Sequence, residues 1–223
     1  MAGYGATGHL TVEAGSTLTL NNTAYVDGNN RFVGGYNNIH IGRGDGGYGY
    51  ATVTGAGSRM ELGGGAARLN MGRDGGYGKL DILDGGFVGT FNLTIGRDGV
   101  GVINVDGAGS ELKTSSAYGT YYGSNYSGSA GYNVLGRGAG KGYLAVTNGG
   151  TVNVQNEYGT SDNAFFRLGR DNGSYGYALV QGSGSSINVT QQGNLGLANN
   201  GPFSVFHVGQ AGQGKLIVEQ GGR

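Results

Sequence analysis

The pattern Gly-x-(Leu/Ile/Ala)-x-(Val/Ile) returns seven times along this chain: Gly8/Leu10/Val12, Gly49/Ala51/Val53, Gly78/Leu80/Ile82, Gly101/Ile103/Val105, Gly142/Leu144/Val146, Gly176/Ala178/Val180 and Gly214/Leu216/Val218. Apolar residues two positions apart mark a strand with one buried face. One short strand cannot bury that face alone, so its recurrence predicts a tandem array whose units cover one another. A second landmark, an apolar residue followed by Gly-Arg or Gly-Gln, precedes six of the seven: Ile41-Gly42-Arg43, Met71-Gly72-Arg73, Ile95-Gly96-Arg97, Leu135-Gly136-Arg137, Leu168-Gly169-Arg170 and Val208-Gly209-Gln210.

The shortest unit, Gly72 to Ile95, contains three extended stretches separated by turns. Lys79-Leu80-Asp81-Ile82 alternates, Phe87-Val88 and Phe91 are a second apolar stretch, and Asn92-Leu93-Thr94-Ile95 alternates again. Three short strands and three turns make one coil of a parallel β-helix. Six to seven coils, stacked at about 4.8 Å, predict a rod roughly 30 to 35 Å long. The second strand reappears at Ser16 to Leu20, Ser58 to Leu62, Ser110 to Lys113 and Ser186 to Val189, usually after Gly-x-Gly-Ser or a relative of it. The third strand carries two inward positions before its Gly-Arg, such as Ile39 and Ile41 or Leu93 and Ile95. Asn133 breaks that rule beside Leu135, as an inward polar group in need of a partner.

Composition agrees. The 223 residues include 53 glycines, one proline and no cysteine, which argues against helix, and there is no strict Gly-X-Y period for collagen. Regularly spaced Val, Ile, Leu and Thr argue against a disordered low-complexity chain. Without cysteine there is no disulfide framework, thiolate metal site or Cys nucleophile. Fourteen basic and fourteen acidic side chains cancel, so nucleic acid is not an expected partner. No apolar run is long enough to enter a bilayer as a helix. The chain opens and closes within a unit, so the expectation is a single solenoid over 1–223, a piece of a longer repeat protein.

Successive first-strand glycines are 41, 29, 23, 41, 34 and 38 residues apart. The landmarks stay constant while the lengths vary, so the extra residues must leave the coil as loops. They fall mostly after the second strand, at Asn21 to Tyr36, Thr114 to Tyr132, Gln155 to Ala164 and Thr190 to Ser204. A shared insertion point places the loops on one side of the rod, where a solenoid usually binds its partners.

The chemical bias of the chain is 15 tyrosines with no tryptophan. Tyr118, Tyr121, Tyr122, Tyr126 and Tyr132 crowd one insertion, where rigid amphipathic rings among Gly, Ser and Asn suit sugar stacking or a protein contact. Tyr48, Tyr77 and Tyr175 share equivalent turns, and Tyr50, Tyr143 and Tyr177 recur near the start of the first strand; both sets read as aromatic ladders. Arg43, Arg73, Arg97, Arg137 and Arg170 would form a column. The acids beside most of them, Asp45, Asp74, Asp98 and Asp171, predict a structural Arg/Asp turn ladder rather than an anion-binding stripe. Arg43-Gly44-Asp45 spells an integrin-type tripeptide, but one extra glycine in a sibling Gly-Arg-Asp-Gly turn accounts for it.

Residues 75 to 81 approach the calcium-binding pattern G-G-x-G-x-D with the aspartate one place late, and no nine-residue period propagates it. His9, His40 and His207 lie in unrelated positions. No metal or cofactor is expected. The carboxylates Glu61, Asp81, Asp106 and Glu111 are scattered, with no acid–base constellation for polysaccharide cleavage. The expectation is a protein that is not an enzyme.

The unit h-G-(Arg/Gln)-x-G-x-G-x-(Leu/Ile)-x-Val-x-x-Gly-Gly-x-h-x-h, clearest in Gly96 to Gly107 and Gly136 to Val154, resembles the repeats in passenger domains of Gram-negative autotransporters and related surface adhesins. The resemblance spans nearly the whole chain. It implies a right-handed, single-stranded parallel β-helix displayed outside the bacterial cell, as a structural or adhesive stalk. It leaves open a glycan or a host or neighbouring-cell surface protein as partner. Two further readings stand beside it: a carbohydrate-binding or polysaccharide-degrading module of the phage tail depolymerase kind, and a filament that self-associates through its coil ends.

Overall fold

A computed structural model describes residues 2–21, 25–26, 32–33, 37–63, 67–115, 132–156, 164–191 and 204–223. Among them there is no helix. The strands fall into parallel sheets of seven, seven and six members, each running through successive coils in chain order. This is a parallel β-helix with three strands per coil. A small antiparallel pair, Tyr25–Val26 with Phe32–Val33, stands apart in the first insertion.

The first sheet is built by the recurrent pattern itself, as Thr7–Val12, Tyr48–Thr54, Tyr77–Leu83, Val100–Asp106, Lys141–Thr147, Tyr175–Gln181 and Gln213–Glu219. Its seven glycines, from Gly8 to Gly214, stand in one column. The second sheet holds Thr17–Asn21, Arg59–Gly63, Phe87–Thr90, Glu111–Ser115, Thr151–Asn156 and Ser186–Gln191. The third ends at the Gly-Arg landmarks, with Leu69, Leu93, Asn133, Phe166 and Phe206 in one inward column. Leu80, Ile82, Ile103, Val105, Leu112 and Leu93 are all fully buried, and each such side chain contributes about 1.5–3 kcal/mol. In the second stretch of the shortest unit, Val88 points inward while Phe87 faces out beneath the Arg59 guanidinium, 3.9 Å from the ring centroid. Asn133, buried at the core, donates from Nδ2 to the carbonyl of Phe165 at 3.2 Å.

The turn from first to second strand alternates between two designs from coil to coil. One is Gly-x-Gly-Ser, at 55–58, 107–110 and 182–185; the other places Asp84, Asn148 or Gln220 before Gly-Gly. The second design needs a left-handed backbone at its first residue, with φ of 52° at both Asp84 and Asn148, a conformation that Asp and Asn tolerate better than most residues. The serine of the first design is fully buried and joins the coils in pairs. Ser58 accepts from Gly15 N at 3.1 Å, Ser110 from Gly85 N at 3.1 Å and Ser185 from Gly149 N at 3.0 Å. Ser110 also donates to Asp106 O at 2.6 Å, and Ser185 to Gln181 O at 2.7 Å. The solenoid therefore has a turn period of two coils.

Ser110→Ala removes one acceptor and one donor from this buried site and leaves the Gly85 N–H and the Asp106 carbonyl without them. Chemical denaturation should show a loss of about 1–3 kcal/mol. A loss below about 0.5 kcal/mol, the size of an ordinary surface change, would contradict the role given to the serine.

Candidate functional site

The insertions share one exit. Each described second-sheet strand is followed by a third-sheet strand, and the added residues lie between them, after Asn21, Gly63, Ser115, Asn156 and Gln191. Asn21 pairs in register with Gly63, and Asn156 with Gln191. All insertions thus leave and re-enter the stack along the corner between the second and third sheets. Tyr118, Tyr121, Tyr122 and Tyr126 lie outside the described residues. Tyr132 opens the third-sheet strand Tyr132–Arg137, opposite Phe165.

The arginine column is in register from Arg43 through Arg73 and Arg97 to Arg137. Arg170 lies just past its strand, Ala164–Leu168, and its backbone N–H reaches Gly136 O at 3.1 Å. The Asp74 carboxylate receives Arg43 Nε at 3.1 Å and Arg73 Nε at 3.2 Å. Arg170 meets Asp171 at 3.4 Å, and Arg97 meets Asp98 at 3.9 Å. Asp98 also accepts from Ala139 N at 3.1 Å, and Asp171 from Gly138 N at 2.9 Å, so the acids staple one turn to another. Partial burial alone would raise the Asp74 pKa. The Arg43 hydrogen bond and the Arg73 charge outweigh it, and the carboxyl is held below its ordinary value. These contacts are half-exposed and weak individually; their role is to keep like charges apart along the column. Arg43 of the Arg-Gly-Asp sequence is committed to Asp74, and Gly44 N is bonded to Arg73 O at 2.9 Å.

The carboxylates of interest divide between two sheets. Asp81 and Asp106 lie on the first, Glu61 and Glu111 on the second. Each has its own partner. Lys79 Nζ reaches Asp81 at 2.8 Å and Arg59 Nε reaches Glu61 at 2.8 Å. Asn148 Nδ2 donates to Asp106 at 2.7 Å and Asn153 Nδ2 to Glu111 at 2.8 Å. Among the described residues no cluster of three His, Cys, Asp or Glu side chains is placed to hold a metal ion.

Register turns the two tyrosine ladders into two separate clusters on the outer face of the first sheet. The column of Tyr48 and Tyr77 is interrupted by Val100 and Lys141 before Tyr175, and that of Tyr50 by Lys79 and Val102 before Tyr143 and Tyr177. In the earlier coils, His9 stacks on Tyr50 at 5.1 Å between centroids, and Tyr77 lies 6.1 Å from Tyr48 and 6.0 Å from Tyr50. In the later coils, Tyr143 lies 5.9 Å from Tyr175 and 6.3 Å from Tyr177, with Lys215 Nζ 6.0 Å from the Tyr177 ring.

The outer side of the third sheet differs, since His40, Asn70 and Thr94 are only 8%, 4% and 6% exposed although they alternate with inward residues. Burial, then the charges of Arg43 and Arg73, lower the His40 pKa from 6.5 to about 4. His40 is therefore neutral in the folded chain where the unfolded chain would take up a proton. Its contribution is fully present above pH 6.5 and is lost as pH falls from there to about 4. The loss should be about 3 kcal/mol. Asn70 occupies the same column, so His40→Asn fits the site. Unfolding measured at pH 7.5 and 4.5 should show the variant losing less stability on acidification than the parent. Equal losses would contradict the assignment.

No family model matches the chain, and searches of the curated proteins and of solved structures likewise found no match.

Proposed function

We propose that this chain is a structural and adhesive stalk segment of a secreted or surface-displayed bacterial protein of the autotransporter-passenger kind, in which the coils supply length and the insertions bind a glycan or a surface protein of another cell. The observation that carries this reading is the common exit of every insertion at one corner of the rod. Variation in loop length and sequence there leaves the stack unchanged, which suits a scaffold that presents contacts. Glu61, Asp81, Asp106 and Glu111 are divided between two sheets and each already holds a partner. That favours binding over cleavage.

The test is a glycan array probed with the protein and with a variant in which residues 117–131 are replaced by a short Gly-Ser linker, keeping Tyr132 in its strand. The reading expects binding that the replacement removes. Equal binding by both proteins, or binding by neither, would overturn the tyrosine-rich insertion as the contact.

A further inference from the structure

We infer that the outer face of the first sheet in the later coils is a binding site for an anionic polysaccharide, separate from the insertions. The first sheet does not border the corner between the second and third sheets where the insertions leave, so its outer face lies on the opposite side of the coil from their exit. Across the coils that begin at Lys141, Tyr175 and Gln213, the two outward columns nearest the Gly-Arg turns carry Lys141, Tyr143, Tyr175, Tyr177, Gln213 and Lys215. This half of the face contains two ammonium groups and no acid. Glu219 stands at the opposite end of its strand, and Asp106 at that end of the neighbouring strand Val100–Asp106.

The two lysines are available for a ligand. Lys141 is exposed and, among the described residues, forms no ion pair, and Lys215 rests against the Tyr177 ring without an acidic partner. Lys79 in the earlier cluster is different, because Asp81 holds it at 2.8 Å. The earlier cluster therefore has rings without a free cation, and the later one has both. Lys141, Tyr143, Asn172, Tyr175 and Gln213 line an open groove together with Gly173 and Gly212. Asn172 is exposed at its rim.

The choice of ligand follows from the repeat. Coils rise by about 4.8 Å, close to the length of one hexose in an extended chain, so a polysaccharide lying along the rod meets a new coil with each sugar. Tyrosine rings present flat apolar faces for sugar rings and hydroxyls for their edges. Lys141 and Lys215 stand two coils apart, about 10 Å along the rod, and supply point charges for carboxylates spaced two sugars apart along the polymer. A uronate polymer matches all three. These side chains point sideways from the rod, so a further coil stacked on the end would not cover them.

The experiment is affinity titration of the protein with oligogalacturonate, with a neutral oligosaccharide of equal length and a single-stranded DNA oligonucleotide as comparisons. Oligogalacturonate should bind most tightly, and added salt should weaken it. Tyr143→Ala and Tyr177→Ala should each weaken binding about tenfold, while Tyr143→Phe retains most of it. K141Q with K215Q should abolish the preference over the neutral sugar. Tyr50→Ala, in the earlier cluster, should leave affinity within about twofold. Unfolding curves of each variant separate loss of binding from loss of fold. The variant lacking residues 117–131 should bind oligogalacturonate like the parent, so this proposal and the insertion reading fail independently. No binding of oligogalacturonate, binding indifferent to Tyr143 and Tyr177, or equal affinity for the DNA would each overturn it.

Discussion

Gly72→Ala should destabilise the fold by about 4 kcal/mol or more, the range of a core disruption. Gly72 has φ of 57°, and a Cβ built on it would run into the backbone carbonyl of Val100, in the coil beyond the one that Gly72 enters. Gly101, at the start of that first strand, is equally confined: its Cβ would collide with Gly96 N, in the corner that leads into its own strand, and come within 2.8 Å of the Ile95 side chain. At Gly42, Gly72, Gly96, Gly136 and Gly169 alike, the corner after the third strand packs against the start of the first strand of the coil beyond, with no side chain between them. The neighbours of Gly72 cannot yield, because all are backbone held in the ladder. Gly173→Ala is the control. Its φ is 82° but nothing lies within 4 Å of an added Cβ, so only the conformational cost of about 1–2 kcal/mol applies. Denaturant midpoints should separate the two variants clearly, and similar losses would mean that close approach does not hold the coils together.

Ile103→Ala should cost about 2–5 kcal/mol. The side chain is fully buried and lies in register between Leu80 and Leu144, with coils above and below. Coils stacked on both sides leave little room to collapse around the cavity. Leu10, in the same column but in the first coil, is only partly buried, and its truncation should cost about half as much. Measuring both by denaturation tests whether the column is one continuous core. Equal losses at the centre and the end would contradict it.

The coil was legible in the sequence because its landmarks are local. A five-residue alternation and an apolar-Gly-Arg triplet fix the first strand and the end of the third, and constant offsets between them fix the register. The Arg/Asp turns were readable for the same reason, as were the insertion points. The two-coil period of the turns was present in the text as Gly-x-Gly-Ser at 55–58, 107–110 and 182–185 against Asp84-Gly85-Gly86 and Asn148-Gly149-Gly150. It was missed because both turns introduce the same strand, and the difference acquires meaning only when Ser110 is seen to bond the turn of the coil before it. The tyrosine ladders were recognised residue by residue, but the gap made by Val100, Val102 and Lys141 between two clusters depends on register across coils. His40 and Asn70 were illegible for a different reason. Alternation assigns them to the outside, and only three-dimensional packing makes that outside buried.

The central claim is that residue spacing along the chain does not set distance along the rod, because each unit advances by one coil whatever its insertion. Thr11, Asp81, Ala145 and Ile217 share an outward column of the first sheet, and the chain has no native cysteine to interfere with labelling. Nitroxide pairs placed by cysteine substitution at Thr11 with Ala145, and at Thr11 with Ile217, should give narrow distance distributions centred near about 19 Å and about 29 Å by pulsed electron resonance, at four and six coil spacings. Broad distributions, or centres far from about 19 Å and about 29 Å, would contradict the stacked parallel solenoid.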